Sequence, residues 1–310
     1  MFLTEGDRPD LRGAVVAVTG ASAGVGRAAA IRFGRCGAAM ALMARDPAAL
    51  EEARSEVERT GARAIAIPLD VADADAVFAA AERIGSELGP IDIWVNNAMA
   101  TVFSMVADLD PAELRRVTEV TYLGTAYGTM AALKQMRRRD RGVIVQVGSS
   151  LAYRGIPLQA AYCGAKHAVR GFTDSLRAEL LHEGSGIALT AVHLPAINTP
   201  QFDWARTKRA RLPRPVAPVY EPEVAARAIV RAAVAPQREY WLGGRTLLLI
   251  MANMLVPGLL DRVIAAQAVE GQARAEPVPP GRRDNLTAPV PGLHRTSGVF
   301  SREAREKAVA

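Results

Sequence analysis

Residues 13–33 read GAVVAVTGASAGVGRAAAIRF, and this stretch decides the fold. Its opening residues predict a short, buried, β-branched strand, and its closing residues, from Ala28 onward, predict a helix. Gly20, Gly24 and Gly26 lie between the two. Glycines let a ligand approach the backbone closely, and the N-terminus of the helix offers unpaired N–H groups to a pyrophosphate. The stretch therefore predicts a nucleotide site at the start of a βαβ series.

Apolar, strand-like runs alternate with stretches of helical period along the rest of the chain. This alternation predicts an α/β fold, a doubly wound parallel sheet with right-handed crossovers and helices on both faces. The predicted strands are 14–19, 38–43, 63–67, 91–95, 142–147, 187–193 and 239–242. The predicted helices are 24–36, 47–60, 73–88, 111–138, 158–183 and 222–235. Ligands of such sheets bind beyond the carboxyl ends of the strands, which here are followed by Gly20, Asp70, Asn96, Ser149 and Pro195.

Tyr162 and Lys166 are four residues apart and so share one face of a predicted helix. A tyrosine titrates near ~10. An ammonium held close would lower that pKa and make the phenol a usable proton donor and acceptor. Ser149, at the end of a predicted strand, could hold the oxygen that Tyr162 protonates. Tyrosine–lysine pairs of this spacing also occur on solvated helix faces, so the glycine-rich turn upstream gives the pair its meaning.

Four motifs follow one another along the chain: Thr19-Gly20-x-x-x-Gly24-x-Gly26, Asn96-Asn97-Ala98, Ser149, and Tyr162-x-x-x-Lys166. In order and spacing they resemble the short-chain dehydrogenase/reductase family, over roughly residues 10–245. The segments 120–124, 151–159 and 194–204 are similar to a bacterial subgroup of short-chain oxidoreductases. The resemblance implies a Rossmann-type fold and an NAD(P)-dependent oxidoreductase. Such an enzyme transfers hydride between nicotinamide and a carbonyl or alcohol substrate.

The resemblance also implies roles for the site residues. Tyr162 would be the general acid and base, Ser149 would stabilise the carbonyl or alkoxide oxygen, and Lys166 would also bind the nicotinamide ribose. Thr121 stands where the family often has an asparagine, and its backbone carbonyl is expected to anchor a water beside the lysine. Met99 replaces the glycine that usually completes an NNAG motif, which crowds the cofactor cleft.

Further positions are expected to contact the cofactor by the same resemblance. Asp70 matches the contact to the adenine amino group, residues 97–99 line the adenosine ribose, and Ile197 and Thr199 approach the nicotinamide amide. Their loop is similar to a PGxxxT loop, although it is one residue shorter and has Ala196 for glycine. The expected cofactor-binding residues are Thr19, Gly20, Ser22, Ala23, Gly24, Val25, Gly26, Arg45, Asp70, Val71, Asn97, Ala98, Met99, Tyr162, Lys166, Pro195, Ala196, Ile197 and Thr199.

The end of the second predicted strand indicates which cofactor is used. NAD-selective proteins place an acid there to accept a hydrogen bond from the ribose, but this strand ends in Ala44-Arg45. Arg45 could pair with a 2′-phosphate, so we predict NADP(H) rather than NAD(H). The alternative is that Arg45 only leads into the helix that begins after Asp46.

Residues 199–220 are rich in proline and arginine and interrupt the alternation. The resemblance implies that they form a lid over the substrate, with a plain surface loop as the alternative. Specificity is expected from this insertion together with Phe103, Leu151, Tyr153 and Gln159. Because these residues are mostly apolar or aromatic, we predict a bulky apolar carbonyl substrate.

Composition argues against several other classes. The net charge of +6 comes from scattered arginines, and the densest run, 137–139, lies at a predicted helix end without a nucleic-acid-binding motif. The four histidines form no metal constellation. The two cysteines, Cys36 and Cys163, have no metal-like spacing and fit a reducing compartment without a disulfide framework, and there is no apolar signal region, so we predict a cytoplasmic location.

Residues 1–245 are predicted to form the catalytic domain, and residues 246–310 lie beyond the resemblance. The run 246–260 carries no charge but is shorter than the roughly 20 residues that span a membrane. It predicts an oligomer interface or a buried helix, with a membrane-surface segment as the alternative. From Gln272 onward the composition predicts an extended or disordered tail. We expect the segment to serve assembly, as a homodimer or homotetramer, and cofactor binding to survive truncation after Gly244.

Two other functions are compatible with the sequence. A catalytically idle NADPH-binding sensor or scaffold would account for Thr121, although it has no need of Ser149, Tyr162 and Lys166 together. A membrane-peripheral reductase of a lipid-like substrate would account for the uncharged run 246–260.

Overall fold

A seven-stranded parallel sheet forms the centre of the protein, for which a computed structural model describes residues 9–307. The first eight residues of the predicted domain and the last three of the predicted tail lie outside the described residues. The sheet order is β12-β7-β6-β4-β1-β2-β3. Its strands are β1 (Val15–Thr19), β2 (Ala39–Ala44), β3 (Ala64–Pro68), β4 (Ile93–Asn96), β6 (Gly142–Ser149), β7 (Ile187–Leu194) and β12 (Glu239–Trp241).

Helices cover both faces of the sheet, because the strands are apolar on both sides. Along β1, Val16 and Val18 join the core on one face, and Val15 and Ala17 join the core on the other, as the two-residue period of a strand requires. The first face carries α1 (Gly24–Arg35), α2 (Pro47–Glu58) and α8 (Pro222–Val234). The second carries α3 (Ala74–Glu87), α4 (Pro111–Thr118), α5 (Gly124–Met136) and α6 (Ala160–His182). The predicted α/β fold is confirmed.

One predicted helix, 111–138, is interrupted. A π-helical turn at Glu119–Leu123 separates α4 from α5. Such turns widen the backbone spacing and occur often at functional sites. Thr121 lies in this turn and is fully buried, so the irregularity falls at a position already singled out from the sequence.

The insertion at 199–220 forms short elements rather than a bare loop: α7 (Gln201–Trp204), β9 (Arg206–Thr207), β10 (Arg211–Pro213) and β11 (Val219–Tyr220). Each strand pairs with a distant segment. β9 pairs with β5 (Val102–Phe103), β11 pairs with β8 (Ala196–Ile197), and β10 pairs antiparallel with β13 (Ala273–Pro277). The insertion is therefore tied to the loops at the carboxyl edge of the main sheet.

The chain after residue 245 is more structured than its composition predicts. The uncharged run forms most of α9 (Gly244–Leu255), and Pro257 begins α10 (Pro257–Gly271), where a proline at the first helical position is well tolerated. Within residues 9–307, no helix is both long and apolar enough to cross a membrane. Residues 278–307 run without long elements over the catalytic domain, and Leu286, Val290 and Phe300 are buried against it.

Candidate active site

The glycine-rich turn has the geometry that close packing demands. Gly20 and Gly24 have φ of 67° and 56°, a region that strains other residues. A Cβ on Gly26 would lie 2.2 Å from the Gly20 carbonyl oxygen. Only glycine fits there, so the N-terminus of α1 can approach the end of β1.

Thr19 and Asn97 fasten this turn to the end of β4. The Asn97 side chain donates to the Thr19 carbonyl over 3.0 Å, and the backbone N–H groups of Asn97 and Ala98 donate to the Thr19 hydroxyl over 2.9 and 3.1 Å. The neighbouring Asn96 is buried and bonds Trp94, Thr129 and Gln146. Part of the Asn-Asn-Ala motif thus holds the scaffold of the site together.

Ser149 ends β6, and one turn of α6 brings Tyr162 and Lys166 to the same place. Lys166 is 3% exposed, and its Nζ donates to the Val147 carbonyl over 2.7 Å and lies 5.7 Å from the centre of the Tyr162 ring. Burial lowers the pKa of Lys166 from 10.5 to about 8. Lys166 is therefore still mostly charged at neutral pH, but it loses its proton at a lower pH than an exposed lysine does.

The pKa of Tyr162 moves in the opposite direction to the one expected from the sequence. Burial raises it well above the ordinary value, and the hydrogen bond with Ser149 only partly opposes this. The Ser149 hydroxyl oxygen also accepts from the Leu151 N–H over 3.1 Å. In this structure the phenol of Tyr162 is thus a firmly protonated group that faces a serine.

Thr121 joins two segments of the backbone through its hydroxyl and its carbonyl. Its Oγ1 accepts from the Ala100 N–H over 3.0 Å and donates to the Ala100 carbonyl over 3.1 Å. The Thr121 carbonyl accepts from the Thr125 hydroxyl over 2.9 Å. The threonine therefore fastens the loop after β4 to the π-helical turn.

Arg45 lies at the end of β2 and faces two other charged groups. Burial lowers its pKa, nearby Asp70 opposes the change, and Arg116 adds to it. Asp70 forms an ion pair with Arg116. Asp46 accepts from the N–H groups of Ala48 and Ala49 as the N-cap of α2, over 3.0 and 3.1 Å, so its carboxylate is already engaged.

One cavity of about 1110 Å³ joins these groups along the carboxyl edge of the sheet. It is lined by Ser149 and by every residue expected to contact the cofactor except Thr19 and Gly26. Thr121 does not line it either. Phe103, Leu151 and Gln159 line it as expected, together with the insertion residues Phe202, Trp204 and Arg214.

Tyr153 was expected to contribute to specificity, but it does not line the cavity. Its hydroxyl donates to Glu239, its ring lies edge-on to His193 with centroids 4.9 Å apart, and the Arg170 guanidinium lies 4.0 Å from its ring centre. Glu239 belongs to β12, the edge strand of the sheet, so the hydroxyl of Tyr153 is bound at the sheet edge and not in the cavity.

Two groups of lining residues were not foreseen from the sequence. The first comes from α9 and α10 and includes Leu248, Leu249, Ala252, Leu260, Val263, Ile264, Gln267 and Ala268. The uncharged run 246–260 could have indicated them, because apolar residues can line a pocket as well as an oligomer interface. The second comes from the tail, namely Asn285, Pro289 and His294, and no local pattern marks these residues.

The strand order reverses between β1 and β4, and the cavity lies at this switch point, which is the position of the ligand in α/β proteins that bind dinucleotides.

Comparison with known proteins identifies the family. A profile described as short chain dehydrogenase matches residues 14–210. The chain therefore belongs to the short chain dehydrogenase family and is an NAD(P)-dependent oxidoreductase that acts on a small molecule.

Individual relatives are named as oxidoreductases or as members of the same family. The chain is 32% identical to Uncharacterized oxidoreductase YxnA of Bacillus subtilis, over 92% of this chain and 80% of YxnA. It is 37% identical to human Dehydrogenase/reductase SDR family member 7, over 57% of this chain and 54% of the relative. It is also 37% identical to Probable oxidoreductase EphD of Mycobacterium tuberculosis, over 60% of this chain and only 31% of EphD.

Proposed function

We propose that this protein is an NADP(H)-dependent reductase of a bulky apolar carbonyl compound, with Tyr162 as the general acid. One observation carries the proposal: Ser149, Tyr162 and Lys166 line the same cavity as the glycine-rich turn and Arg45. A group that can protonate an oxygen and a site that can hold a dinucleotide are thus parts of one cavity. A sensor would have no use for that combination.

The residues divide the chemistry between them. The bound dinucleotide would supply the hydride to the carbonyl carbon. Tyr162, kept protonated by burial, would donate its proton to the carbonyl oxygen as negative charge develops there. The Ser149 hydroxyl would donate a hydrogen bond to the same oxygen. The Lys166 ammonium would stabilise the phenolate that Tyr162 leaves behind.

The preference for NADP(H) rests on charge at the end of β2. Arg45 and Arg116 both lie there, and the nearby carboxylates are occupied, Asp70 by Arg116 and Asp46 by the N-terminus of α2. A 2′-phosphate would meet a guanidinium there. A ribose hydroxyl would have to compete with these partners for a carboxylate.

The direct test is cofactor consumption with a panel of ketones, aldehydes, steroids and quinones, followed with NADPH and with NADH. We expect NADPH oxidation with an apolar ketone or aldehyde. Tight NADPH binding without turnover of any member of the panel would favour the sensor instead.

Lys166 gives a prediction about pH. Its pKa of about 8 leaves it charged below that pH and neutral above it, so we expect kcat/KM to fall as the pH rises through about 8. Because the folded-state pKa is depressed, the unfolded chain binds more protons between about 8 and 10.5, and the contribution of Lys166 to stability rises with pH in that window. Unfolding of this origin cannot explain the loss. Measuring kcat/KM and thermal unfolding over the same pH range checks both the fall in activity and the rise in stability.

The matched variant for this prediction is Lys166→Arg, which stays charged at alkaline pH. We expect it to retain some activity and to move the alkaline limb of its kcat/KM profile upward. An unshifted limb would assign the ionisation to another group.

We also propose that the exposed apolar face of α9 and α10 is covered by a second copy of this chain. Met254, Leu255 and Leu259 are 76%, 75% and 61% exposed, and large apolar side chains this exposed and this close together are unusual on the surface of a monomer. Leu255→Glu should lower the oligomer order in light scattering, whereas Val106→Glu, at an exposed valine elsewhere, should not. Unchanged order together with sedimentation on anionic liposomes would replace the second copy by a membrane surface.

A further inference from the structure

We propose that residues 282–301, here called the C-terminal strap, form the outer wall of the dinucleotide site, so that the cofactor enters and leaves only when the strap lifts. This inference rests on the proposed function, because it takes the cavity beside the glycine-rich turn to be the NADPH site. Three of its residues, Asn285, Pro289 and His294, line that cavity, and its contacts with the rest of the protein fall at three places along the segment.

At the adenosine end the strap holds the cations proposed to select NADPH. The Leu286 carbonyl accepts from Arg45 over 3.3 Å and from Arg116 over 3.1 Å, and the Asn285 carbonyl accepts from Arg45 over 2.5 Å. The Leu286 side chain is 1% exposed and belongs to the core on the α3–α6 face. The side chain anchors the strap, and its carbonyl orients both guanidinium groups.

At the middle of the cleft the strap meets the N-terminus of α1. The Gly24 N–H donates to the Arg295 carbonyl over 2.9 Å, and Arg27 donates to the His294 carbonyl over 3.2 Å. The His294 ring lies 5.0 Å from the Trp204 ring, between centroids. The contact with Trp204 joins the strap to the insertion that was expected to be the substrate lid.

At the nicotinamide end, Asn198 bonds the strap through every polar group it has except its own N–H. Asn198 is completely buried; its side chain donates to the Ser301 hydroxyl over 2.9 Å and accepts from the Phe300 N–H over 3.0 Å. The Asn198 carbonyl accepts from the Gly298 N–H over 3.0 Å. A buried asparagine left without these partners would lose several hydrogen bonds, so this end is firmly attached.

The strap covers the cavity without filling it. Asn285, Pro289 and His294 line the same space of about 1110 Å³ as the glycine-rich turn. The two carbonyls bound to Arg45 leave other donors of its five N–H groups for a phosphate. The strap is thus positioned to preorganise Arg45 and to enclose a long ligand along its length, at the expense of fast exchange.

The first experiment follows NADPH binding by stopped-flow fluorescence, without any carbonyl substrate. For the full chain we expect the observed rate to reach a plateau as NADPH concentration rises, because opening of the strap becomes limiting. A chain ending at Val278, which retains β13, should give a rate that rises linearly. A full chain with a linear dependence and the same slope as the shortened chain would overturn the proposal.

A second pair of variants keeps the test valid if the shortened chain does not fold. Leu286→Ala removes the buried anchor, and Thr287→Ala changes its exposed neighbour. We expect NADPH to dissociate at least tenfold faster from Leu286→Ala and at the wild-type rate from Thr287→Ala. Dissociation from both variants within twofold of wild type would overturn the strap as a wall of the site.

The experiments distinguish a failure of the strap proposal from a failure of the proposed reductase function. Slow, saturating NADPH binding without turnover of any carbonyl compound would support the strap and contradict the reductase. Turnover with linear binding kinetics would do the reverse. A wild-type chain that binds neither NADPH nor NADH would contradict both.

Discussion

Tyr162→Phe is expected to lower kcat by roughly 10²–10⁴-fold, which is the contribution of general acid catalysis. The phenylalanine ring preserves the packing of α6 beside Ser149, so only the transferable proton is lost. NADPH affinity should stay within a few-fold of wild type. Steady-state kinetics with any working substrate, together with a binding titration, measure both quantities.

Tyr127→Phe is the control for this substitution. Tyr127 is a partly buried tyrosine of α5 that packs against the same core and does not line the cavity. The control should keep nearly full activity. If the Tyr162 variant turned over at a rate close to wild type, the tyrosine would drop out of the mechanism, and the proton would have to come from another group.

Arg45→Asp is expected to reverse cofactor preference. A hydrogen bond to a charged group contributes about 1.5–3 kcal/mol, which corresponds to roughly 10- to 100-fold in affinity. The new carboxylate would also repel the 2′-phosphate and accept from a free ribose hydroxyl. We therefore expect the ratio of kcat/KM for NADPH to that for NADH to fall by roughly 100-fold or more.

Because Arg45 also holds the strap, the substitution needs a variant that separates the two roles. Arg45→Gln removes the charge but keeps an N–H that can donate to the carbonyls of Asn285 and Leu286. It should lose part of the NADPH preference while both cofactors remain bound. If Arg45→Asp weakened NADPH and NADH equally, so that their ratio stayed within about twofold, Arg45 would serve only to orient the strap.

Much of the fold was predictable because it depends on local pattern. The apolar runs and glycines around β1 and α1 specify a strand, a turn and a helix whatever the rest of the chain does, and the predicted main-sheet strands differ from the observed ones by at most two residues at either end. The serine, tyrosine and lysine were foreseen in the same way, since their places at a strand end and on one helix face follow from spacing. Their convergence on one cavity follows from the parallel sheet.

The chemical state of these residues depended on surroundings that spacing does not describe. The ammonium of Lys166 was expected to lower the pKa of Tyr162. In the folded protein, burial raises the pKa of Tyr162 and lowers that of Lys166. Tyr153, which was expected to help set specificity, bonds Glu239 and does not line the cavity. Burial and partners are set by which elements pack together.

The strands of the sheet and the positions of Ser149, Tyr162 and Lys166 could be predicted because they follow from short-range period and motif spacing, and the order of the motifs resembled the family that the comparison then confirmed. Only the tertiary structure placed the C-terminal tail, whose composition predicts an extended or disordered chain. Arg45 and Leu286 are 241 residues apart and meet through a side chain and a backbone carbonyl. Every residue offers such a carbonyl, so no residue type marks the contact. The fold decides it by burying Leu286 and bringing residues of the tail to the wall of the cavity.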